Sequence, residues 1–179
     1  MKLVTFPNDI LRERMPDFDF ENPIMDPMQI EREMVELMVR EKGIGLSANQ
    51  VGLRARVITI FPRDLSLELG PFAMFNPVLQ AASDELIESI EGCLSFPKML
   101  IPVKRPRTIM AEYLDNQGNN CVISLSDVDA KCFLHELDHL DGICFIDRVS
   151  RLKQEMAMKK FNKLRKLYGR AQRKSESSI

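Results

Sequence analysis

Both histidines of this 179-residue chain, His135 and His139, fall within one five-residue stretch, His-Glu-Leu-Asp-His. Side chains four apart meet most directly on a helix. There, four residues turn about 400° and rise about 6 Å, so both imidazoles share one face. The flanking residues suit a helix from about Asp127 to Asp141, with Ser126 as N-cap, Asp129 as its capping-box partner and Gly142 as the stop. The pattern offers two nitrogen ligands to one metal ion, with Glu136 beside them as a general base toward a metal-bound water.

A metal site with one open coordination position needs a third protein ligand. No third histidine exists, so Cys, Asp or Glu must supply it. Of the 4 cysteines, Cys132 shares the helix but stands seven residues before His139. Two turns place them about 10.5 Å apart along the axis, too far for one ion with bonds near about 2.0–2.3 Å. Cys132 therefore reads as a packed thiol beside the pocket. Cys121 lies in a strand-like segment and Cys144 in an apolar Ile-Cys-Phe-Ile run, and both read as core. Cys93 sits in the turn-like stretch Glu-Gly-Cys-Leu-Ser, where Gly92 permits close backbone approach. Spacing favours Cys93 slightly and leaves an Asp or Glu ligand open.

The rest of the chain reads as an α+β domain. Asp26-Pro27 starts a helix whose buried face is Ile30, Met34, Leu37 and Met38, ending near Lys42. Residues 55–61, 72–79 and 85–90 read as strands, and 109–115 with 120–125 as a hairpin. The order is a helix, then strands, then the histidine helix, with a further helix at the C-terminus. A hydrophobic content of 45% argues against disorder, and eight scattered glycines without sustained heptads argue against collagen or a coiled coil. No apolar stretch approaches the roughly 20 residues of a membrane span. The mixed, acidic N-terminus resembles neither a signal nor a transit peptide, so the expected compartment is a reducing cytoplasm, with cysteines as free thiols or metal ligands and without a membrane partner.

The net charge of −1 conceals an asymmetry. Residues 151–179 carry ten Lys and Arg against two Glu, a net of +8, and residues 1–150 carry the balance, −9. The division suggests a catalytic body over 1–150 and a basic helix with a frayed tail over 151–179. Ser150 caps that helix, Leu152, Met156, Phe161, Leu164 and Tyr168 form its apolar face, and Gly169 ends it. It is either a solvated helix packed by one face or a docking element for an anionic partner such as ribosomal RNA.

Three segments together resemble the peptide deformylase family. They are Gly43-Ile44-Gly45-Leu46-Ser47-Ala48-Asn49-Gln50, then Glu91-Gly92-Cys93-Leu94-Ser95, then His135-Glu136-Leu137-Asp138-His139-Leu140 with Asp141-Gly142 after it. The resemblance spans about residues 1–150 and implies an α+β fold with mixed or antiparallel strands around a central helix that carries the histidines. It implies a metal-dependent hydrolase that removes the formyl group from the N-terminal formylmethionine of newly made polypeptides and releases formate. Cys93, His135 and His139 match its metal ligands and Glu136 its proton-exchanging residue. Gln50 and the Leu94 backbone N–H match the oxyanion donors. Gly45 matches a backbone position that binds peptide, and Ile44, Val128 and Cys132 match positions near the methionine pocket. The implied metal is Fe²⁺ in the cell, with Zn²⁺, Ni²⁺ or Co²⁺ as alternatives in purified protein.

Some positions depart from the family pattern. Ser47 replaces a frequent alanine, Leu134 a frequent glutamine, and residues 100–104 lack an arginine common near the substrate entrance. Glu91, Arg105 and Asp138 match charged positions that either form ordinary ion pairs or support the metal ligands. Two other classes share the His-Glu pair: a general metallopeptidase, and a binding module without turnover. Gln50 and the Glu-Gly-Cys-Leu-Ser loop disfavour the first, and Glu136 disfavours the second.

Overall fold

A computed structural model describes the backbone of residues 1–176 and the side chains of residues 1–166. The first long element is α1 (Pro27–Arg40), where the Asp26 carboxylate accepts from the Met28 N–H and Pro27 occupies the first turn. Ile30, Met34, Leu37 and Met38 form its buried face, at the spacing read from the sequence.

Seven strands follow: β1 (Gly45–Ser47), β2 (Val57–Ile60), β3 (Phe72–Ala82), β4 (Leu86–Cys93), β5 (Phe96–Pro106), β6 (Thr108–Leu114) and β7 (Asn120–Ser126). Among the described residues all pairings are antiparallel. Five strands form one sheet in the order β1-β2-β3-β6-β7, while β4 and β5 form a separate ribbon. Sequence reading missed β1 and β5. β1 is only three residues long, and β5 carries Pro97, Pro102 and Pro106. Proline cannot donate to a ladder and is tolerated here because β5 has a single strand partner. The alternation is nevertheless present: Met99, Ile101, Val103 and Arg105 face inward, whereas Leu100 and Lys104 face outward.

The helix α2 (Asp127–Leu140) packs between the main sheet and the ribbon, and ten of its residues are buried. The expected Ser126–Asp129 capping box does not form, because Ser126 makes no side-chain cap bond. Asp129 instead accepts from the backbone N–H groups of Arg63 and Asp64, at 2.8–3.0 Å, and ties down the chain beyond β2. Leu134 lies within the main core with Ile58, Ile60 and Met74, which accounts for an apolar residue before the first histidine. Gly142 ends the helix at φ +72°, where an added Cβ would come within 2.5 Å of the Arg12 carbonyl oxygen.

Helix α3 (Arg151–Glu176) continues past Gly169, so that glycine does not end it. The expected apolar face also needs correction. Phe161 of that face packs on the body as expected, joined by Ala157 and Met158, but Leu152 and Met156 are 69% and 63% exposed. Phe161 stands against Phe6 and Phe96, with ring centroids 6.0 and 5.7 Å away. The charge boundary after Ser150 is therefore not a packing boundary. The Tyr168 side chain and residues 177–179 of the expected frayed end lie outside the described residues.

Candidate metal centre

The histidine helix presents His135 and His139 with ring centroids 5.0 Å apart. Cys93, at the end of β4, reaches them from the ribbon. Its Sγ is 3.2 Å from His139 Nε2, and one ligand atom from each of Cys93, His135 and His139 lies within 4.8 Å of the others. Around a tetrahedral ion with bonds near 2.0–2.3 Å, neighbouring ligand atoms stand roughly 3.5 Å apart, so this set closes on a metal with little movement. The Cys132 thiol is outside the group and donates to the Ile44 carbonyl at 3.2 Å.

The surrounding groups orient the ligands. His135 Nδ1 lies 2.9 Å from Glu91 Oε2, which leaves Nε2 for the cation. Burial alone would lower the His135 pKa, but its contacts with Cys93 and Glu91 raise it well above the ordinary value. Burial instead keeps the His139 pKa well below the ordinary range. The Asn49 amide donates to the His139 carbonyl at 2.6 Å and secures the end of α2.

Behind His135 runs a chain of buried charges. Arg105 grips both oxygens of Glu91 at 2.9 and 3.1 Å and reaches Asp138 at 2.6 Å, while Arg148 also holds Asp138. Burial pushes the Glu91 pKa up, but His135 and Arg105 outweigh it and bring it down to about 2. Glu91 thus forms the ion pair and supports the histidine at once. Glu91→Gln should weaken zinc binding about 10–100-fold by chelator competition, and unchanged affinity would dissociate it from the metal site. Because the folded pKa is depressed, its contribution to stability is full above the ordinary glutamate range and is lost as pH falls toward about 2. The variant should therefore show a shallower acid-unfolding slope than the parent.

Glu136 follows His135 into the same space. Burial raises its carboxyl to about 7, opposed by the charge of His135 and a hydrogen bond from Ser47. Among the described residues, Glu136 Oε2 and His139 Nδ1 are buried without a hydrogen-bond partner. Gln50 is oriented by its neighbours: its Oε1 accepts from the Ser47 N–H at 2.9 Å and the Ser47 hydroxyl at 3.0 Å. Since the Ser47 N–H needs an acceptor, the Gln50 amide nitrogen must point the other way, toward Ser95 Oγ at 3.1 Å and Cys93 Sγ at 3.4 Å.

A cleft of about 560 Å³ opens over this group. It brings together Gly45, Ile44, Gln50, Cys93, Leu94, Cys132, His135 and Glu136 from the residues singled out in the sequence. His139 lies fully buried beneath it. Val128 is not brought to the cleft: it is 41% exposed in the first turn of α2, and Lys131 and Cys132 line the wall instead. Gly45 has no room for a side chain, since a Cβ would stand 2.6 Å from both Cys132 Sγ and Glu136 Oε1. Sequence reading missed Ser95, whose hydroxyl bridges the Gln50 amide and the Val4 carbonyl, and Asn49. Both stand inside the quoted segments, but nothing local shows that their polar groups are buried.

A family model described as polypeptide deformylase matches residues 1–155. A peptide deformylase of Maricaulis maris is 38% identical over 165 residues, covering 92% of this chain and 94% of the relative. One from Finegoldia magna is 42% identical over 127 residues, covering 71% and 76%. The crystal structure of Arabidopsis thaliana peptide deformylase 1B superposes with a TM-score of 0.83 at 33% identity, covering 96% of this chain and 93% of that one.

Proposed function

The chain belongs to the polypeptide deformylase family, and from that premise we propose how its residues divide the labour. The protein is a metal-dependent hydrolase that removes the N-formyl group from newly made polypeptides. The convergence of Cys93, His135 and His139 beside the partnerless Glu136 oxygen is the observation that carries the assignment of roles.

Cys93, His135 and His139 would hold the divalent metal. When bound there, the metal would polarise the formyl carbonyl and lower the pKa of the attacking water. Glu136 takes the proton of the attacking water and returns it to the amine as the C–N bond breaks and formate leaves. The Gln50 amide, aimed by Ser47, and the Leu94 backbone N–H donate to the developing oxyanion, each worth about 10²–10³ in rate. Gly45 binds the peptide backbone, and Ile44 and Cys132 border the methionine side chain. Thiolate ligation suits a soft-to-borderline ion, in keeping with Fe²⁺ in the cell and Zn²⁺, Ni²⁺ or Co²⁺ in purified protein.

The test is formate release from a formyl-Met tripeptide against cleavage of an internal bond. Formate alone supports the reading. Internal cleavage without formate would indicate a general peptidase, and metal binding without turnover a binding module. We further propose a cytoplasmic location and a ribosomal partner for the basic face of α3. Deleting 151–179 would remove Phe161 from the core, so charge reversal at exposed Lys159, Lys160 and Lys163 is the cleaner probe. It should reduce cosedimentation with ribosomes while leaving formate release from tripeptides intact. Unchanged cosedimentation would overturn the ribosomal role. No described helix is long and apolar enough to cross a membrane.

A further inference from the structure

Residues 1–150 carry a net charge of −9, yet three lysines, Lys42, Lys98 and Lys131, line the cleft against three glutamates. Lys42, just beyond α1, and Lys131, one turn before His135 on α2, both line it. Among the described residues neither lies within 4.0 Å of a carboxylate. The acids that line the same cleft are already engaged or buried. Glu41 faces Arg40 at 3.6 Å, Glu91 is held by Arg105 and His135, and Glu136 lies 5% exposed at the floor. The opposing ribbon wall carries Ile90 and Leu100, 58% and 70% exposed, beside a third lysine, Lys98. Two ammonium groups without an ion-pair partner among the described residues, one just beyond α1 and one on α2, give the mouth of an otherwise acidic body a local positive field. Low-dielectric walls strengthen such a field.

The formyl end of a substrate must sit at the floor, so the residues after methionine run out through this mouth. We infer that Lys42 and Lys131 select formylmethionyl chains bearing Asp or Glu at the first positions after methionine over those bearing Lys or Arg there. The inference rests on the deformylase reading and adds a charge preference to it. The contacts are made at a solvated rim, so each is modest and sensitive to salt. Replacing an acidic residue with a basic one turns attraction to both lysines into repulsion.

The experiment measures kcat/KM for formate release from formyl-Met-Ala-Ala, formyl-Met-Glu-Ala and formyl-Met-Lys-Ala, all as C-terminal amides, so that no terminal carboxylate competes. At low ionic strength the Glu peptide should exceed the Lys peptide by about five- to tenfold, a size set by screened unit charges a few ångströms apart. At about 1 M salt, where the Debye length is near 3 Å, the ratio should approach one. Lys42→Glu with Lys131→Glu should invert the ratio at low salt. The ratio of two peptides on one preparation is the readout, so changes in overall turnover cancel. Equal rates, a preference for lysine in the parent, or a preference indifferent to salt or to the double substitution would overturn the charge selection. In those cases formate from the Ala peptide leaves the deformylase reading standing, whereas no formate from any peptide overturns both.

Discussion

Replacing Glu136 with Ala leaves the protein folded and metal-loaded and lowers formate release by about 10²–10⁴, the usual range for a positioned acid–base group. The carboxyl is well placed to cause so large a loss. It lies 5% exposed, has one oxygen without a partner, and is raised by burial to about 7. At neutral pH such a group accepts and gives a proton with little penalty either way. Glu136→Gln is the sharper control, since it retains the shape and removes only the proton transfer. Both variants are checked by metal content beside single-turnover formate release. Retained turnover with metal in place would remove Glu136 from the acid–base role.

Cys93→Ala abolishes tight metal binding, whereas Cys132→Ala retains it. Structural zinc binding is worth about 10–16 kcal/mol, so removing one of three comparable ligands lowers affinity on the order of 10²–10⁴. Both thiols line the same cleft, but only Cys93 approaches the histidine nitrogens; Cys132 is engaged with the Ile44 carbonyl. Chelator competition followed by elemental analysis distinguishes the two variants. Metal loss from Cys132→Ala with retention by Cys93→Ala would reverse the ligand assignment.

Elements with a local cause were read correctly from the chain. The buried face of α1 follows from 3.6-residue periodicity, and its start from Asp26-Pro27. Features that depend on a distant partner were not. The alternation of β5 is hidden by prolines that only its single-partner position tolerates. Asp129 has the spacing of a capping residue but bonds to the loop after β2, because those N–H groups lie within reach in the folded chain. In α3 the apolar spacing from Leu152 and Met156 was misleading, since the body accepts the face carrying Ala157, Met158 and Phe161.

The same division holds for the site. The shared face of His135 and His139 was determined by sequence alone, because the geometry of a single helical turn sets it. So was the exclusion of Cys132, by the rise of two turns. The third corner of the metal group was decided by tertiary structure: Cys93 is 42 residues from His135 in the chain, and the packing of the β4–β5 ribbon on α2 brings it in. The aim of Gln50 and the pairing of Glu91 with His135 were likewise decided there. The sequence shows which residue types are present, but burial and the approach of distant strands determine which polar groups must satisfy one another.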